Sequence, residues 1–444
     1  MQLTIPKRQT LPPGPGTAPW QTAQFATQTF RFLQDCAARY GDVFTVPMTG
    51  TKVIFTGNPS GIQQIFTADP NLFDTVTGAN VGIAVGENSL LVLGGVRHDR
   101  ERKLMMPAFH GARLVAYGQL IQAITLAQCD RWKSNQSLNV QQESQAISLE
   151  IIIQVIFGVR DPDQIEQFRT IVAEYLEAFT PVIIFFPALR HLFNGFGIWT
   201  RFEAALSKFN ELLDREIETR RNQQDGDDIL SLLLAARDEQ GQPMTNEQIR
   251  DELKTLLLAG HETTASSIAW AIYWIHHTPA VYECLNAELE PLGTVPDPQA
   301  LIKLPYLKAV CQETLRMCPP VPFAVRLLKQ PWTFCDVELP AGVAVGAATG
   351  ITHFDPAIYP EPHSFRPERF LDRQYSPYEY FPFGGGSRRC IGAAFAMYEM
   401  QIILGTVLAQ YKLSLADSKP VVPSPLGFAI TPKGGVNVVC VGKN

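Results

Sequence analysis

The sequence predicts a mainly α-helical fold with a minor β portion. Residues 246–278 read as one long helix, because neither a proline nor a polar loop interrupts them. Residues 43–57 and 332–348 read as short strands joined by tight turns. The 33 prolines imply frequent stops between elements. We expect residues 1–18 to form a proline-rich leader and residues 19–444 to form a single domain.

Helical periodicity predicts the other helices in chain order. They are expected at residues 59–68, 113–135, 142–158, 162–179 and 201–222, and after Pro305. Thr245 and Gln248 form a capping-box signal at the start of the long helix. Residues 74–95 are glycine-rich and are expected to be a loop, either at the substrate or on the surface. The apolar residues 180–200 are interpreted either as a lid over a substrate channel or as a core connector.

Composition excludes several classes of protein. The chain has 46% hydrophobic and 18% charged residues, which fits a globular protein with a large core. Its net charge of −6 does not suggest binding to nucleic acid. The eight cysteines show no C-x-x-C pair, which argues against a zinc ribbon or a disulfide framework and favours a reducing compartment. No N-terminal apolar run is long enough for a signal peptide or a transmembrane segment. We expect a cytoplasmic monomer.

Residues 381–392 contain the most informative motif. Three glycines precede Cys390, and good helix formers follow it from Ala393 to Met400. A helix N-terminus stabilises an anion, so a cysteine there tends to be a thiolate, the form that binds metal or attacks. Arg388 and Arg389 add positive charge. A buried core cysteine and a phosphate-binding glycine loop are the alternatives, although the latter would need a Lys-Ser/Thr pair that is absent.

Phe383, Gly386, Arg388, Cys390 and Gly392 stand at the spacing of the haem-binding loop of the cytochrome P450 monooxygenases, which this stretch resembles. The resemblance implies that Cys390 is the axial metal ligand of haem b, with a thiolate that favours O–O cleavage, and that the other four residues bind the cofactor. It also implies the cytochrome P450 fold, a triangular-prism-like domain with haem buried between the long helix and the Cys390 loop. Backbone N–H groups after Cys390 would hydrogen-bond its sulfur.

The middle of the long helix has an unusual composition for a buried element, reading Ala259, Gly260, His261, Glu262, Thr263 and Thr264. Glycine costs about 1 kcal/mol relative to alanine inside a helix, so a local kink is one interpretation. The segment also resembles the oxygen-activation motif of the family. That resemblance implies a groove for O2 against the helix and proton delivery by Glu262 and Thr263. It also places Ala259, Gly260 and Thr264 among the catalytic residues. A zinc site is excluded, because Ala265 occupies the position of a second histidine.

Two further basic motifs resemble haem-propionate sites. His98 and Arg102 lie four residues apart and so share a helix face. A charged run of this kind is usually a solvated surface, but the family resemblance implies a propionate role. Arg326 ends an apolar run whose position resembles the strand that passes over haem, which implies the same role.

A Glu-x-x-Arg motif at Glu313 and Arg316 resembles another element of the family. An exposed pair at this spacing is common and carries little information. The resemblance implies that both residues join Arg369, from the later Pro-Glu-Arg-Phe element, in a structural ion network. We expect this network to support folding and haem retention rather than chemistry.

Candidate pocket residues rest on position alone. They are the apolar side chains Phe185, Phe186, Phe323, Ala324, Val325, Phe428 and Ile430. They suggest a hydrophobic substrate, and the resemblance favours a long-chain fatty acid or a terpene.

The resemblance implies a monooxygenase that inserts one oxygen atom of O2 by hydroxylation or epoxidation. No flavin or iron–sulfur segment is apparent in the chain, so electrons would come from NAD(P)H through a reductase and an external ferredoxin or flavodoxin. Basic residues that could attract an acidic carrier are Arg97, Arg100, Lys103, Arg388 and Arg389. Alternatives are a peroxygenase or hydroperoxide-rearranging enzyme, a non-catalytic haem-binding protein, and a helical protein without haem. The intact Glu262-Thr263 pair argues against the first two.

Overall fold

The computed structural model describes residues 11–48, 50–75, 78–180, 183, 197–222, 226–426 and 429–444. Contacts divide the chain into two compact units. The first is made of the described residues within 1–76, 321–364 and 375–390, and the second of those within 77–320, 365–374 and 391–444. The single domain expected for residues 19–444 stays a prediction.

The α-helices dominate the described chain. They are α1 (Pro19–Thr27), α2 (Thr29–Tyr40), α3 (Pro59–Thr67), α4 (Gly78–Val85), α5 (Gly95–Met105), α6 (Ala112–Cys129), α7 (Val140–Ile151), α8 (Pro162–Ala178), α9 (Ile198–Arg221), α10 (Ile229–Ala235), α11 (Asn246–His277), α12 (Pro279–Leu289), α13 (Pro298–Leu301), α14 (Pro305–Met317), α15 (Thr349–Thr352), α16 (Arg369–Asp372) and α17 (Ala393–Gln410). A π-helix, Ile152–Ile156, continues α7.

The strands are short. They are β1 (Val43–Met48), β2 (Thr51–Thr56), β3 (Phe73–Asp74), β4 (Gln136–Asn139), β5 (Phe323–Leu328), β6 (Trp332–Phe334), β7 (Val337–Leu339), β8 (Ala344–Ala348), β9 (Tyr411–Leu415), β10 (Pro423–Leu426), β11 (Ala429–Pro432) and β12 (Asn437–Lys443).

The first unit is built on a five-stranded sheet with the order β1-β2-β8-β5-β3. The β2–β8 pair is parallel and the other pairs are antiparallel. Because side chains alternate along a strand, β1 and β2 supply two cores. Phe44 and Phe55 pack with Phe32 of α2, whereas Ile54 packs in a second cluster with Phe66 of α3. Burying side chains of this size contributes about 1.5–3 kcal/mol each.

The second unit is organised around α11, a helix of 32 residues. At 1.5 Å per residue it is about 48 Å long. The predicted capping box is confirmed, since Thr245 Oγ1 accepts from the Gln248 N–H at 3.2 Å and Gln248 Oε1 accepts from the Thr245 N–H at 2.8 Å. The helices α7 and α17 and the strand β11 all pack against α11. Two small antiparallel sheets, β4-β12-β9 and β10-β11, complete this unit.

Most predicted elements are confirmed, with shifted ends. The helix expected at 113–135 ends at Cys129, and the one expected at 142–158 turns into the π-helix after Ile151. The loop expected at 74–95 is wrong in part, because α4 lies inside it. Glycines in α4 lower its helical propensity, but Val81, Ala84 and Val85 are buried, and packing outweighs propensity in short helices. Helices α1 and α2 and strands β9–β12 were not predicted.

Helix α17 is, in the part of the chain that the structure describes, the one helix long and apolar enough to cross a membrane. However, 78% of its apolar window is buried inside the protein, as expected for a core helix.

Candidate active site

The Cys390 loop is a turned segment of the first unit. The Cys390 N–H donates to the Phe383 carbonyl at 2.9 Å, and the Arg389 N–H donates to the Gly386 carbonyl at 3.1 Å. Gly384 and Gly386 both have φ of +64°, in the left-handed region that favours glycine. The glycines therefore let the loop fold back on itself, and Cys390 ends it three residues before α17 begins.

The same glycines allow Phe66 to approach the loop. A Cβ on Gly385 would lie 2.1 Å from the Phe66 ring, and one on Gly386 would lie 2.3 Å from the Phe66 carbonyl oxygen. Phe66 also packs edge-to-face against Phe381, with ring centroids 5.6 Å apart. Sequence reasoning missed Phe66, since an aromatic residue on a predicted helix is more often simply core.

Exposure separates Cys390 from most other thiols. Burial raises the pKa of Cys36 to about 11 and of Cys318 to about 12, and raises those of Cys129 and Cys311 further, so these groups remain protonated. Cys390 and Cys284 are the exposed cysteines of the described residues. Of these two, Cys390 alone lies beside a helix N-terminus and two arginines, the setting in which a thiolate is favoured.

Arg326 lies against the loop that precedes Cys390. Its guanidinium donates to the Gly385 carbonyl at 3.2 Å and to the Val325 carbonyl at 2.9 Å. Burial, together with the nearby charge of Arg388, lowers the pKa of Arg326 to about 10. In the described ranges no carboxylate pairs with Arg326. A largely buried arginine that faces another cation favours an anion between them, which suits a haem propionate.

His98 and Arg102 share helix α5 in the second unit, as predicted. His98 is buried, with Nδ1 3.2 Å from Asp99 Oδ1, and Arg102 is half-buried. Their propionate role stays a prediction.

Two basic residues near His98, Arg100 and Lys103, are less available to an acidic electron carrier than the sequence suggested. Arg100 is only 28% exposed and pairs with Glu101 and Asp238, each at 2.6 Å. Lys103 pairs with Glu239 at 2.9 Å. Arg100 is therefore less able to attract an acidic carrier than the sequence suggested, because carboxylates of the same unit compensate its charge.

Helix α11 has one open face in its middle. Ala259 is exposed, Gly260 and Thr263 are half-buried, and most of the helix is otherwise buried. A Cβ added to Gly260 would meet no described atom within 4 Å apart from its own helix backbone. The Thr263 hydroxyl donates to the Ala259 carbonyl at 2.6 Å. Thr264 is buried and lies off this face. The helix runs without interruption from Asn246 to His277, and the small residues leave this face of it open.

Glu262 points toward α7. Its Oε1 accepts from Gln141 Nε2 at 3.0 Å, and its Oε2 accepts from Gln145 Nε2 at 2.9 Å. Burial raises the pKa of the Glu262 carboxyl, and the hydrogen bonds from these amides and from Ser266 oppose that rise. Sequence reasoning missed both glutamines, although two amides one turn apart on a buried helix are a detectable signal.

The predicted ion network is present in the second unit. Glu313 accepts from Arg316 Nε at 2.7 Å and Nη2 at 2.8 Å, and from Arg369 Nε at 3.1 Å. The Arg366 N–H donates to the same carboxylate at 2.9 Å. Glu313 and Arg316 are fully buried. Bidentate geometry and further donors compensate the desolvation of these charges.

The side chains of the predicted pocket residues in β5 do not all lie on one face of their strand. In β5, Phe323 and Val325 pack against the core around Phe44 and Phe55, whereas Ala324 lies on the opposite face, where a Cβ on Gly384 would be 3.9 Å away. This alternation of a strand differs from the expectation that three consecutive residues line a pocket. Ile430 is buried in β11, and its N–H donates to the Pro320 carbonyl at 2.8 Å. Phe185, Phe186 and Phe428 lie outside the described residues.

Two glycines of the motif give a first testable prediction. Gly386→Ala should lower the free energy of unfolding by more than about 1 kcal/mol, because it combines a positive φ with the contact to Phe66. A Cβ added to Gly392 meets no described atom within 4 Å. Gly392→Ala should therefore change the free energy of unfolding by less than about 0.5 kcal/mol, while lowering the haem content. Denaturant unfolding and the haem-to-protein ratio measure both effects. Equal destabilisation by the two substitutions would contradict this account.

The profile of the cytochrome P450 family matches residues 11–438. The chain belongs to the cytochrome P450 family. Similar curated proteins include cytochrome P450 135A1 of Mycobacterium tuberculosis, 31% identical over 96% of this chain and 94% of that protein. Cytochrome P450 135B1 of Mycobacterium bovis is 32% identical over 96% of this P450 and 91% of its own length.

A solved structure confirms the predicted P450 fold. The retinoic acid-bound cyanobacterial CYP120A1 superposes with a TM-score of 0.85 at 26% identity, covering 97% of this chain and 99% of that one. The protein is therefore a cytochrome P450 monooxygenase, which uses haem b, O2 and reducing equivalents from a redox partner. Within the first unit, the exposed Cys390 and the largely buried Arg326, which has no carboxylate partner in the described ranges, suit that cofactor.

Proposed function

We propose that this P450 hydroxylates or epoxidises a long hydrophobic molecule, a terpenoid or a fatty acid. The observation that carries the proposal is the similarity, over nearly the whole chain, to a P450 that binds retinoic acid, an isoprenoid carboxylic acid. The apolar candidates Ala324 and Ile430 agree with such a substrate. This similarity favours terpenoids over simple fatty acids.

The site residues take the following proposed roles. The Cys390 thiolate would bind the haem iron, and Arg326 and Arg388 would hold a propionate. His98 and Arg102 keep the propionate role that their motif implies. When bound, haem b supplies the activation of O2. Among the protein groups, the open face at Ala259 and Gly260 admits the small reactant, and Glu262 and Thr263 hold the protons that the reaction consumes.

Electrons are proposed to come from NAD(P)H through a reductase and a ferredoxin or flavodoxin. Arg389 is exposed beside Cys390 and supports docking of an acidic carrier. Turnover should then fall as ionic strength rises, because salt screens exposed charges. Constant turnover from low to high salt would contradict this docking mode. We also propose that the protein is located in the cytoplasm.

A spin-state screen tests the substrate class. Retinoic acid, palmitic acid and geraniol are titrated into the ferric protein, and binding is followed as a shift of the haem absorption toward the high-spin form. We expect the largest shift with retinoic acid, followed by an oxygenated product when NADPH, ferredoxin and reductase are added. No shift and no product with any of the three would contradict the proposal. Product from hydrogen peroxide alone, without NADPH dependence, would instead favour the peroxygenase.

A further inference from the structure

The contact between α7 and α11 is polar although it is buried. Gln141 and Gln145 lie one turn apart on α7, and Glu262 and Ser266 lie one turn apart on α11, so each pair shares a helix face. Gln141 Nε2 donates both to Glu262 Oε1 at 3.0 Å and to Ser266 Oγ at 3.3 Å. Gln145 Nε2 donates to the other carboxylate oxygen at 2.9 Å. Both oxygens of Glu262 are therefore held from α7.

Two more hydrogen bonds fix the register of the two helices. His261 Nε2 lies 3.1 Å from the Gln145 carbonyl, and Ser148 Oγ donates to the His261 carbonyl at 3.4 Å. Burial lowers the pKa of His261 to about 4, so the imidazole is neutral near pH 7 and donates its Nε2–H to the carbonyl. These bonds place Glu262 opposite the two amides without adding a charge.

No cation compensates Glu262 within the described part of the chain. The two carboxylates of α7 do not face Glu262 either. Glu143 accepts hydrogen bonds from Gln128 and Trp132, and Glu150 forms an ion pair with Arg169. The groups that face Glu262 are therefore neutral, namely Gln141 and Gln145 on α7 and Ser266 on α11.

We propose that Gln141 and Gln145 are positioning residues that hold the Glu262 carboxyl in either protonation state. A lysine or arginine would favour the carboxylate alone, whereas an amide carries both a donor and an acceptor. Gln141 Oε1 is buried and has no partner in the described ranges. When a proton from hydronium binds Glu262 Oε1, rotation of the Gln141 amide turns Oε1 toward the new O–H. Loss of that proton to water reverses the rotation. The inference rests on the proposed proton role of Glu262.

The test replaces each amide with methionine, which has nearly the same length and no amide. Infrared pH-difference spectra of the ferric holoenzyme follow the protonated carboxyl band, assigned by its absence in Glu262→Gln. Gln141→Met and Gln145→Met should each move the titration midpoint upward by about one pH unit, because each removes a donor to the carboxylate. Ser148→Ala is the matched control, since it removes a bond between the same helices that does not touch Glu262. An unshifted midpoint in both methionine variants, or an equal shift in Ser148→Ala, would overturn the proposal.

A second readout separates this inference from the proposed function. The hydrogen peroxide released per NADPH is measured across pH with the ligand that the spin-state screen selects from retinoic acid, palmitic acid and geraniol. We expect Glu262→Gln to raise peroxide release at every pH, and the methionine variants to move its pH dependence in the direction of the infrared shift. Unchanged release in Glu262→Gln would show that the proton role of Glu262 fails, and the inference with it. Raised release in Glu262→Gln without any infrared shift in the methionine variants would overturn the positioning role alone.

Discussion

Cys390→Ser should abolish monooxygenase activity while leaving the helical fold in place. The serine hydroxyl does not ionise near neutral pH and cannot provide the electron donation of a thiolate. Because Cys390 is exposed, replacing its sulfur with oxygen should not disturb the core, so far-ultraviolet circular dichroism should be unchanged. Product formation with NADPH, ferredoxin and reductase should fall to the background of the haem-free protein.

Cys284→Ser is the matched control, because Cys284 is the other exposed cysteine of the described residues and lies on α12. It should retain full activity and an unchanged haem spectrum. Retained activity in Cys390→Ser, or equal losses in the two variants, would show that the thiolate is not supplied by Cys390.

Glu313→Ala should cost about 3–5 kcal/mol of unfolding free energy, because it leaves Arg316 buried without its anion. Arg369 and the backbone N–H of Arg366 lose the same acceptor. The network carries no reacting group, so we expect low haem content and a lower midpoint of denaturant unfolding, not an altered product. The haem that remains bound should keep the spectrum of the wild type.

Glu239→Ala provides the comparison for an exposed ion pair. Glu239 is 74% exposed and its partner Lys103 is 72% exposed. Solvent screening limits such a pair to about 1 kcal/mol or less. If Glu239→Ala and Glu313→Ala shift the unfolding midpoint equally, the Glu313 network has no special structural role.

Local motifs explain why so much was predictable from the sequence. The capping box of α11, the glycine loop before Cys390 and the Glu313–Arg316 spacing each depend on residues within a few positions of one another. The steric and electrostatic demands of such segments are met by neighbours in the chain, so the residue types reveal them.

Pairings across long stretches of chain were not predictable. Arg100 contacts Asp238, 138 residues away, and Gln141 contacts Glu262, 121 residues away. The orientation of Phe323 was not predictable either. Its side chain faces the core because of the register of its strand, not because of the local composition. The partner of a charged or amide side chain depends on tertiary packing, which cannot be read from a single sequence.

The carbon monoxide difference spectrum of the dithionite-reduced protein tests the central claim most directly. Cys390 thiolate on haem iron predicts the strongly red-shifted Soret maximum for which the family is named, and its loss in Cys390→Ser. A maximum at the shorter wavelength of a neutral-thiol or histidine ligand would contradict thiolate ligation. Absence of any haem spectrum after expression with added haem would contradict the cofactor assignment itself.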